Sequence, residues 1–120
     1  HPYFEQISQL QVSSHLLIER NGSIIQFVPF NKKAWHAGIS KFQGRENCNE
    51  FSIGIELEGT DNLDYTKNQY ESLVEATKEI MKVYPAISKE NIVGHSDIAP
   101  DRKTDPGDSF NWNLYLHNLV

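Results

Sequence analysis

Two short apolar runs predict a β-hairpin near the start of the chain. In SSHLLIERNGSIIQFVPF they flank Asn21-Gly22, a dipeptide that is typical of a two-residue hairpin turn. We therefore predict antiparallel strands over Ser13–Glu19 and Ser23–Phe30.

A third strand is predicted by the strict alternation in FSIGIELEG. Odd-numbered positions from 51 to 57 are apolar and even-numbered positions from 52 to 58 are small or acidic, which is the period of a half-buried strand. Glu56 therefore lies opposite the apolar face. Ser52 and Gly54 on its side of the strand are small, and we expect them to leave room for a substrate or a metal-binding loop.

Two helices are predicted further along the chain. TKNQYESLVEATKEIMKVYP opens with a capping-box pattern, Thr66 to Gln69, and Pro85 stops it. The segment NWNLYLHNLV at 111–120 predicts a C-terminal helix on the same core. The side chains of the first helix at helical spacing are Tyr70, Leu73, Val74, Thr77, Ile80, Met81 and Tyr84.

Composition narrows the classes of function. A chain of 120 residues fits one domain, and its formal net charge of -5, with 11 scattered Lys and Arg, disfavours a nucleic-acid binder. Cys48 is the only cysteine, which excludes an internal disulfide and a cysteine-rich zinc cluster. Because no apolar run approaches the roughly 18 residues of a membrane span, we expect no membrane partner. We also expect a monomer.

The loop VGHSDIAPDRKTDPG carries the residues best suited to chemistry. We predict a short apolar strand, Ile92-Val93-Gly94, that delivers His95 at its end, where α/β folds concentrate functional residues. A catalytic zinc takes imidazole nitrogen and carboxylate oxygen, with three protein ligands and one open position. His95 and Asp105 would supply two of the three.

Each residue of this loop also has a plain structural explanation. His95 can be a structural histidine, Asp105-Pro106-Gly107 can be a turn, and Lys103 can be a solvated charge. Their combination in one loop favours the metal site.

A metal at this loop would give roles to two further residues. Glu56 could accept the proton of an attacking water, although Glu58 would fit a half-exposed strand carboxylate equally well. Lys103 could supply positive charge to the oxyanion of a tetrahedral intermediate.

Three long segments closely resemble the zinc-dependent N-acetylmuramoyl-L-alanine amidases. They are WHAG at Trp35–Gly38, QGRENCNEFSIGIELEGTD at Gln43–Asp61 and GHSDIAPDRKTDPG at Gly94–Gly107. The nearest branch is AmpD, the cytoplasmic 1,6-anhydro-muropeptide amidases of cell-wall recycling. The resemblance covers essentially the whole chain, 1–120, and three segments in order are far more specific than a lone motif.

The resemblance implies a fold and an activity. The fold is a single α/β domain with a mixed central β-sheet flanked by helices, as in T7 lysozyme and the peptidoglycan recognition proteins. The activity is hydrolysis of the amide between N-acetylmuramic or 1,6-anhydro-N-acetylmuramic acid and L-alanine, with a muropeptide as substrate and zinc as cofactor.

The resemblance also implies roles for single residues. His95 looks like the second zinc histidine, Asp105 like the zinc aspartate, Glu56 like the catalytic glutamate and Lys103 like the lysine that stabilises the transition state. The substrate-binding positions that it implies are Trp35, His36, Asn47 and Ala99.

The first zinc histidine of the family lies upstream of the segment that matches HPYF. We therefore expect this domain to lack its N-terminal strand and third zinc ligand, and to need that histidine for activity. His15 matches a histidine that belongs to the family's sheet, and His36 resembles a residue in the wall of the family's groove. We therefore expect neither to bind zinc. Gln11 and Asn47 stand where the branch has arginines that grip its substrate.

Two alternatives come from other classes. A peptidoglycan-binding module can keep the fold and groove without activity, but retention of Glu56, His95, Lys103 and Asp105 together argues against it. A structural or partner-binding domain would require the matching segments to be accidental. A metal assay separates the amidase from the binding module.

Overall fold

In the part of the chain that the structure describes, a mixed three-stranded β-sheet forms the centre. The computed structural model describes residues 14–60 and 62–119. Strand β1 (Leu16–Ile18) pairs antiparallel with β2 (Ile24–Gln26), and it pairs parallel with a later strand at Ile55–Leu57. The strand order is therefore β2-β1-β5, counting the last as β5, which confirms the expected mixed sheet.

The predicted hairpin is present, but its strands are shorter and its turn is not a two-residue one. The register pairs Ile18 with Ile24, and the Glu19 N–H donates to the Ser23 carbonyl at 2.8 Å, so the loop is centred on Asn21. Gly22 has φ 91°, and its N–H donates to the Glu19 carbonyl at 2.8 Å. This is a three-residue loop with glycine in the left-handed region, which the Asn-Gly dipeptide suits equally well.

A second, smaller hairpin follows, which the sequence did not predict. Strand β3 (Lys41–Phe42) pairs antiparallel with β4 (Arg45–Glu46), and a 3-10 helix covers Cys48–Glu50. The turn residues Gln43 and Gly44 have φ 51° and 84°. Two positive φ values are typical of a tight two-residue hairpin turn. With only two residues in each strand, the pair is too short for alternation to reveal it.

Helix α1 spans Lys67–Val83 and confirms both predicted boundaries. Its Thr66 cap accepts a hydrogen bond from the Gln69 N–H, while the Gln69 side chain accepts one from the Thr66 N–H, which completes the capping box. The helix ends one residue before Tyr84, next to Pro85. Its buried side chains are Gln69, Leu73, Val74, Thr77 and Ile80.

Gln69 is buried although it is polar, and the helical pattern did not single it out. Its Nε2 donates to the carbonyls of Ile18 and Glu58, at 3.3 and 2.8 Å, and its Oε1 accepts from Arg20 Nη1 at 3.3 Å. The side chain therefore joins the ends of β1 and β5 to the first turn of α1.

The C-terminal helix packs on the same core. After the short helix α2 (His95–Ile98), helix α3 covers Trp112–His117, within the predicted segment. Phe110 lies at the centre of an aromatic group, with ring centroids 4.9 Å from Trp112 and 5.4 Å from Tyr70. The buried core cluster consists of Ile18, Leu73, Val74, Phe110, Tyr115 and Leu119.

The strand predicted at Ile92-Val93-Gly94 is wrong. These residues lie between a 3-10 helix at Lys89–Asn91 and α2, and they belong to neither sheet. Gly94 caps α2, since its N–H donates to Asp97 Oδ2 at 2.7 Å. The apolar run is too short to form a strand between the helices on either side of it.

Within 14–60 and 62–119, each helix falls short of the length or apolar character that a bilayer crossing requires.

Candidate active site

His95 and Asp105 meet although ten positions separate them. His95 is the first residue of α2, and the Ser96 N–H donates to the Asp105 carbonyl at 3.0 Å. This backbone bond folds the loop back on the start of the helix. His95 Nδ1 then lies 3.3 Å from Asp105 Oδ2.

The two side chains change each other's acidity. The hydrogen bond that the His95 ring donates to Asp105 is the main cause that raises the pKa of His95, and the charge of Lys103 opposes it. The same hydrogen bond is the main cause that lowers the pKa of Asp105, and Lys103 lowers it further. The pair thus favours a protonated imidazolium that donates from Nδ1 to the Asp105 carboxylate.

The other ring nitrogen of His95 is fixed by the backbone. Nε2 lies 2.9 Å from the Ala37 carbonyl, which can only accept, so Nε2 carries the proton. In the neutral ring, Nδ1 is then the nitrogen with a free electron pair, and it faces Asp105. A metal-binding histidine typically has this arrangement, with its outer N–H given to a carbonyl or carboxylate.

The donor set fits zinc as far as the described residues extend. Two ligands at about 2.0–2.2 Å from a tetrahedral zinc lie about 3.3–3.6 Å apart, and the 3.3 Å between His95 Nδ1 and Asp105 Oδ2 matches this separation. Within 14–60 and 62–119, no group of three His, Cys, Asp or Glu side chains is placed to hold a metal ion. The described part of the chain therefore provides two donors.

His15 has other partners for both ring nitrogens. It is 1% exposed, its Nδ1 accepts from the Gly54 N–H at 3.1 Å, and its Nε2 donates to the Lys32 carbonyl at 2.7 Å. Its imidazole links the loop after β2 to the start of β5, and it has no nitrogen left for a metal.

His36 lies between His15 and the start of β5. Its Nε2 is 2.8 Å from Ser52 Oγ, and that hydroxyl donates to the Cys48 carbonyl, so Nε2 carries the proton. Burial is the main cause that lowers the pKa of His36 to about 4, and the charges of His15 and His95 add to it. The ring is therefore neutral at physiological pH.

The room expected beside Ser52 and Gly54 is filled by His36. A Cβ built on Gly54 would lie 2.3 Å from His36 Cγ, so the imidazole rests directly on the glycine. The small residues accommodate a side chain of the protein itself, which corrects the expectation that they leave space for a substrate or metal-binding loop.

Glu56 and Glu58 differ in their surroundings. Glu58 Oε1 accepts from the Arg20 N–H at 2.7 Å, which gives that carboxylate a structural role. Glu56 is exposed at the centre of β5, and its carboxylate forms no hydrogen bond or ion pair with the rest of the described chain. Since alternate residues of an extended chain share a face, Glu56 lies on the side where His36 covers Gly54. The structure thus distinguishes two carboxylates that the sequence left equivalent.

Lys103 lies near the histidine–aspartate pair without being bonded to it. Its N–H donates to the Ala99 carbonyl at 2.9 Å, and its charge acts on both His95 and Asp105. Among the residues that the structure describes, its ammonium has no hydrogen bond or ion pair. Within those residues, no partner neutralises the charge of Lys103.

The predicted substrate-binding positions have different surroundings. Trp35 is 46% exposed and carries Lys33 Nζ 3.9 Å above its ring. Asn47 is exposed with φ 58°, and Ala99 is buried inside the loop after α2. Gln11 lies outside the described residues.

Two backbone contributions to the site were missed by the sequence analysis. Ala37 supplies the carbonyl that accepts from His95, and Ser96 supplies the N–H that holds Asp105. Every residue has these groups, so no side-chain pattern could have revealed them.

Among the described residues, the mixed sheet lies beside a histidine–aspartate loop, and the side chains of Glu56 and Lys103 are unpaired, which is an arrangement typical of an α/β hydrolase domain. The model of the N-acetylmuramoyl-L-alanine amidase family matches residues 1–108. The chain belongs to this family. Membership removes the alternative in which the matching segments are accidental.

Individual relatives give the same assignment. The chain is 60% identical over 119 residues to the 1,6-anhydro-N-acetylmuramyl-L-alanine amidase AmpD of Haemophilus influenzae, covering 99% of this chain and 65% of the relative. It also resembles the crystal structure of a selenomethionine AmpD derivative, with a TM-score of 0.89 and 57% identity over 100% of this chain and 66% of that one. The chain thus spans less than two thirds of the length of these relatives.

A more distant structure contains a ligand. It is the Escherichia coli amidase AmiD in complex with the substrate anhydro-N-acetylmuramic acid-L-Ala-D-gamma-Glu-L-Lys. The TM-score is 0.82 and the identity 37%, over 97% of this chain and 52% of that one. The same fold thus binds a muropeptide in that protein.

Proposed function

We propose that residues 1–120 belong to one amidase domain which, with its full set of zinc ligands, hydrolyses the amide between N-acetylmuramic or 1,6-anhydro-N-acetylmuramic acid and L-alanine. The observation that carries this proposal is the 3.3 Å approach of His95 and Asp105, with the charge of Lys103 beside them, in a chain 60% identical to an AmpD amidase. The exposed carboxylate of Glu56, on the face of the strand where His36 covers Gly54, supports it.

His95 Nδ1 and Asp105 Oδ2 are the proposed zinc ligands. When bound, zinc would supply a positive charge that polarises the scissile carbonyl and activates water. The hydrogen bond of His95 Nε2 to the Ala37 carbonyl orients the imidazole for this role.

Glu56 is the proposed general base and acid. Its carboxylate takes a proton from the attacking water as the new C–O bond forms, and then returns the proton to the amide nitrogen as the C–N bond breaks. The products are the muramic acid carboxylate and a peptide with a free L-alanine amine. A carboxylate without structural partners is available for both transfers.

Lys103 is the proposed oxyanion group. Negative charge develops on the carbonyl oxygen during attack, and an ammonium in reach of it stabilises that charge more than it stabilises the neutral substrate. Its freedom from other ion pairs in the described part of the chain supports this role.

We also propose the recycling context of the AmpD relatives, with a muropeptide as substrate, action as a monomer and a cytoplasmic location. The unpaired, buried Cys48 is compatible with a reducing compartment. Trp35, His36, Asn47 and Ala99 stay as proposed substrate-binding positions, and half-exposed Trp35 offers an aromatic surface to a ligand.

The test is release of free peptide from anhydro-N-acetylmuramic acid-L-Ala-D-gamma-Glu-L-Lys by protein that carries its full set of zinc ligands, followed by chromatography. Glu56→Gln should lower kcat by about 10²–10⁴ at unchanged zinc content, since a positioned acid–base group typically contributes that much. Glu58→Gln, two positions along the strand, is the matched control, because its amide oxygen can still accept from the Arg20 N–H.

Three outcomes would contradict the proposal. Near-wild-type turnover of Glu56→Gln would remove the proposed base. A full complement of zinc in His95→Ala would remove the proposed ligand. Zinc-loaded wild-type protein that binds the substrate and releases no peptide would favour the peptidoglycan-binding module.

A further inference from the structure

Arg102 joins the two segments that meet at the site. Its Nη2 donates to the Ala37 carbonyl at 2.6 Å and to the Ile39 carbonyl at 3.0 Å. Its own N–H donates to the Ala99 carbonyl at 3.0 Å, which fixes its backbone on the loop that carries Asp105. One side chain thus connects two segments that lie more than 60 residues apart in sequence.

Gly38 makes this approach possible. Its φ is +63°, and a Cβ built there would lie 2.6 Å from Arg102 Nη2 and 3.2 Å from Cζ. Any larger residue would push the guanidinium away from the two carbonyls. The glycine thus allows Arg102 to bind the backbone on both sides of it.

The Ala37 carbonyl is the common acceptor of Arg102 and His95. It lies 2.6 Å from Arg102 Nη2 and 2.9 Å from His95 Nε2, which uses both of its lone pairs. The Ala37 N–H donates to Asn49 Oδ1 at 2.7 Å, and the residue is fully buried. The carbonyl that holds His95 is therefore itself held from two sides.

We propose that Arg102 is a positioning residue of the amidase site. It holds the Ala37 carbonyl where that oxygen accepts the Nε2 proton of His95, and so keeps Nδ1 directed at Asp105 and available to the metal. This inference rests on the proposed function. Groups that hold a metal-binding histidine set its tautomer and ring orientation, and their loss weakens metal binding.

The test uses Arg102→Met, which keeps the aliphatic stem and removes the donors. Zinc affinity is measured by competition with a chromophoric chelator, and the His95 tautomer by ¹⁵N NMR of the ring in metal-free protein at alkaline pH. We expect zinc affinity to fall about tenfold, the lower end for residues that support a metal ligand. The Nε2-protonated form of His95 should no longer dominate.

Two further variants complete the design. Arg102→Lys restores a cationic donor and should recover part of the zinc affinity. Arg45→Ala is the matched control, because that guanidinium lies 4.1 Å from the centre of the Phe51 ring and has no described bond to the segment at 37–39. It should leave both measurements unchanged.

The two measurements separate this inference from the proposed function. Wild-type tautomer and zinc affinity in Arg102→Met would overturn the positioning role, as would equal losses in Arg45→Ala. Wild-type protein that carries its full set of zinc ligands and binds no zinc would contradict the proposed function. In that case the tautomer alone decides, since its retention in Arg102→Met overturns the inference and its loss upholds it.

Discussion

Gly54→Ala tests the packing of the His36 ring on Gly54, the residue before β5. The added Cβ would lie 2.3 Å from His36 Cγ and 2.5 Å from Cδ2, whereas carbon atoms in contact are about 3.5–4.0 Å apart. An overlap of more than about 1 Å cannot be absorbed by small adjustments.

Neither side of this contact can move freely. The Gly54 N–H donates to His15 Nδ1, and its carbonyl accepts from the N–H groups of His15 and Leu16, at 2.8 and 3.2 Å. The His36 ring is held by Ser52 at 2.8 Å. Relief of the overlap therefore breaks a hydrogen bond or displaces the sheet edge.

The expected loss of stability is about 3 kcal/mol, from overpacking of about 1–3 kcal/mol and one hydrogen bond of about 1 kcal/mol. For a domain of this size that corresponds to a fall in Tm of about 10–15 °C. Thermal and urea unfolding measure both quantities. Gly44→Ala is the control: it has no neighbour within 4 Å, so only the cost of its φ of +84°, about 1 kcal/mol, is expected.

A double-mutant cycle tests the cause. His36→Ala removes the ring that the new Cβ would overlap. The double variant should therefore be only slightly less stable than His36→Ala. A coupling energy of about 2–3 kcal/mol is expected for residues in direct contact. Additive losses within about 0.5 kcal/mol would refute the argument, because the overlap with His36 would then not be the source of the loss.

Two further predictions concern stability. Gln69→Leu removes the donations of Nε2 to the Ile18 and Glu58 carbonyls and the Oε1 acceptor of the Thr66 N–H, and it should cost about 3 kcal/mol in urea unfolding; a loss below about 1 kcal/mol would contradict the role of this side chain. His36 has a pKa of about 4 when folded against 6.5 when unfolded, so the unfolded state binds more protons between these values and stability is lost as the pH falls through that window. Wild type should lose about 2 kcal/mol more than His36→Gln between pH 7 and pH 5, and equal losses would show that His36 does not titrate this way.

The sequence by itself determined the elements whose signals are local. Thr66 and Gln69 form a capping box within one helical turn, and alternation around Glu56 identified the strand that carries it. The resemblance of three segments identified the family, and His95 and Asp105 were recognised together because one short loop contains both. Such signals lie in neighbouring residues, and local backbone preferences are enough to express them.

Only the tertiary structure decided the contacts between distant segments. Glu56 and Glu58 are equivalent in the sequence pattern. They differ in the structure because the Arg20 N–H, 38 positions from Glu58, donates a hydrogen bond to the Glu58 carboxylate. His36 fills the space above Gly54, and the Ala37 carbonyl orients His95 across 58 positions. Backbone carbonyls and packing space carry no residue-specific signal, so the orientation of the site arises only when the chain brings these groups together.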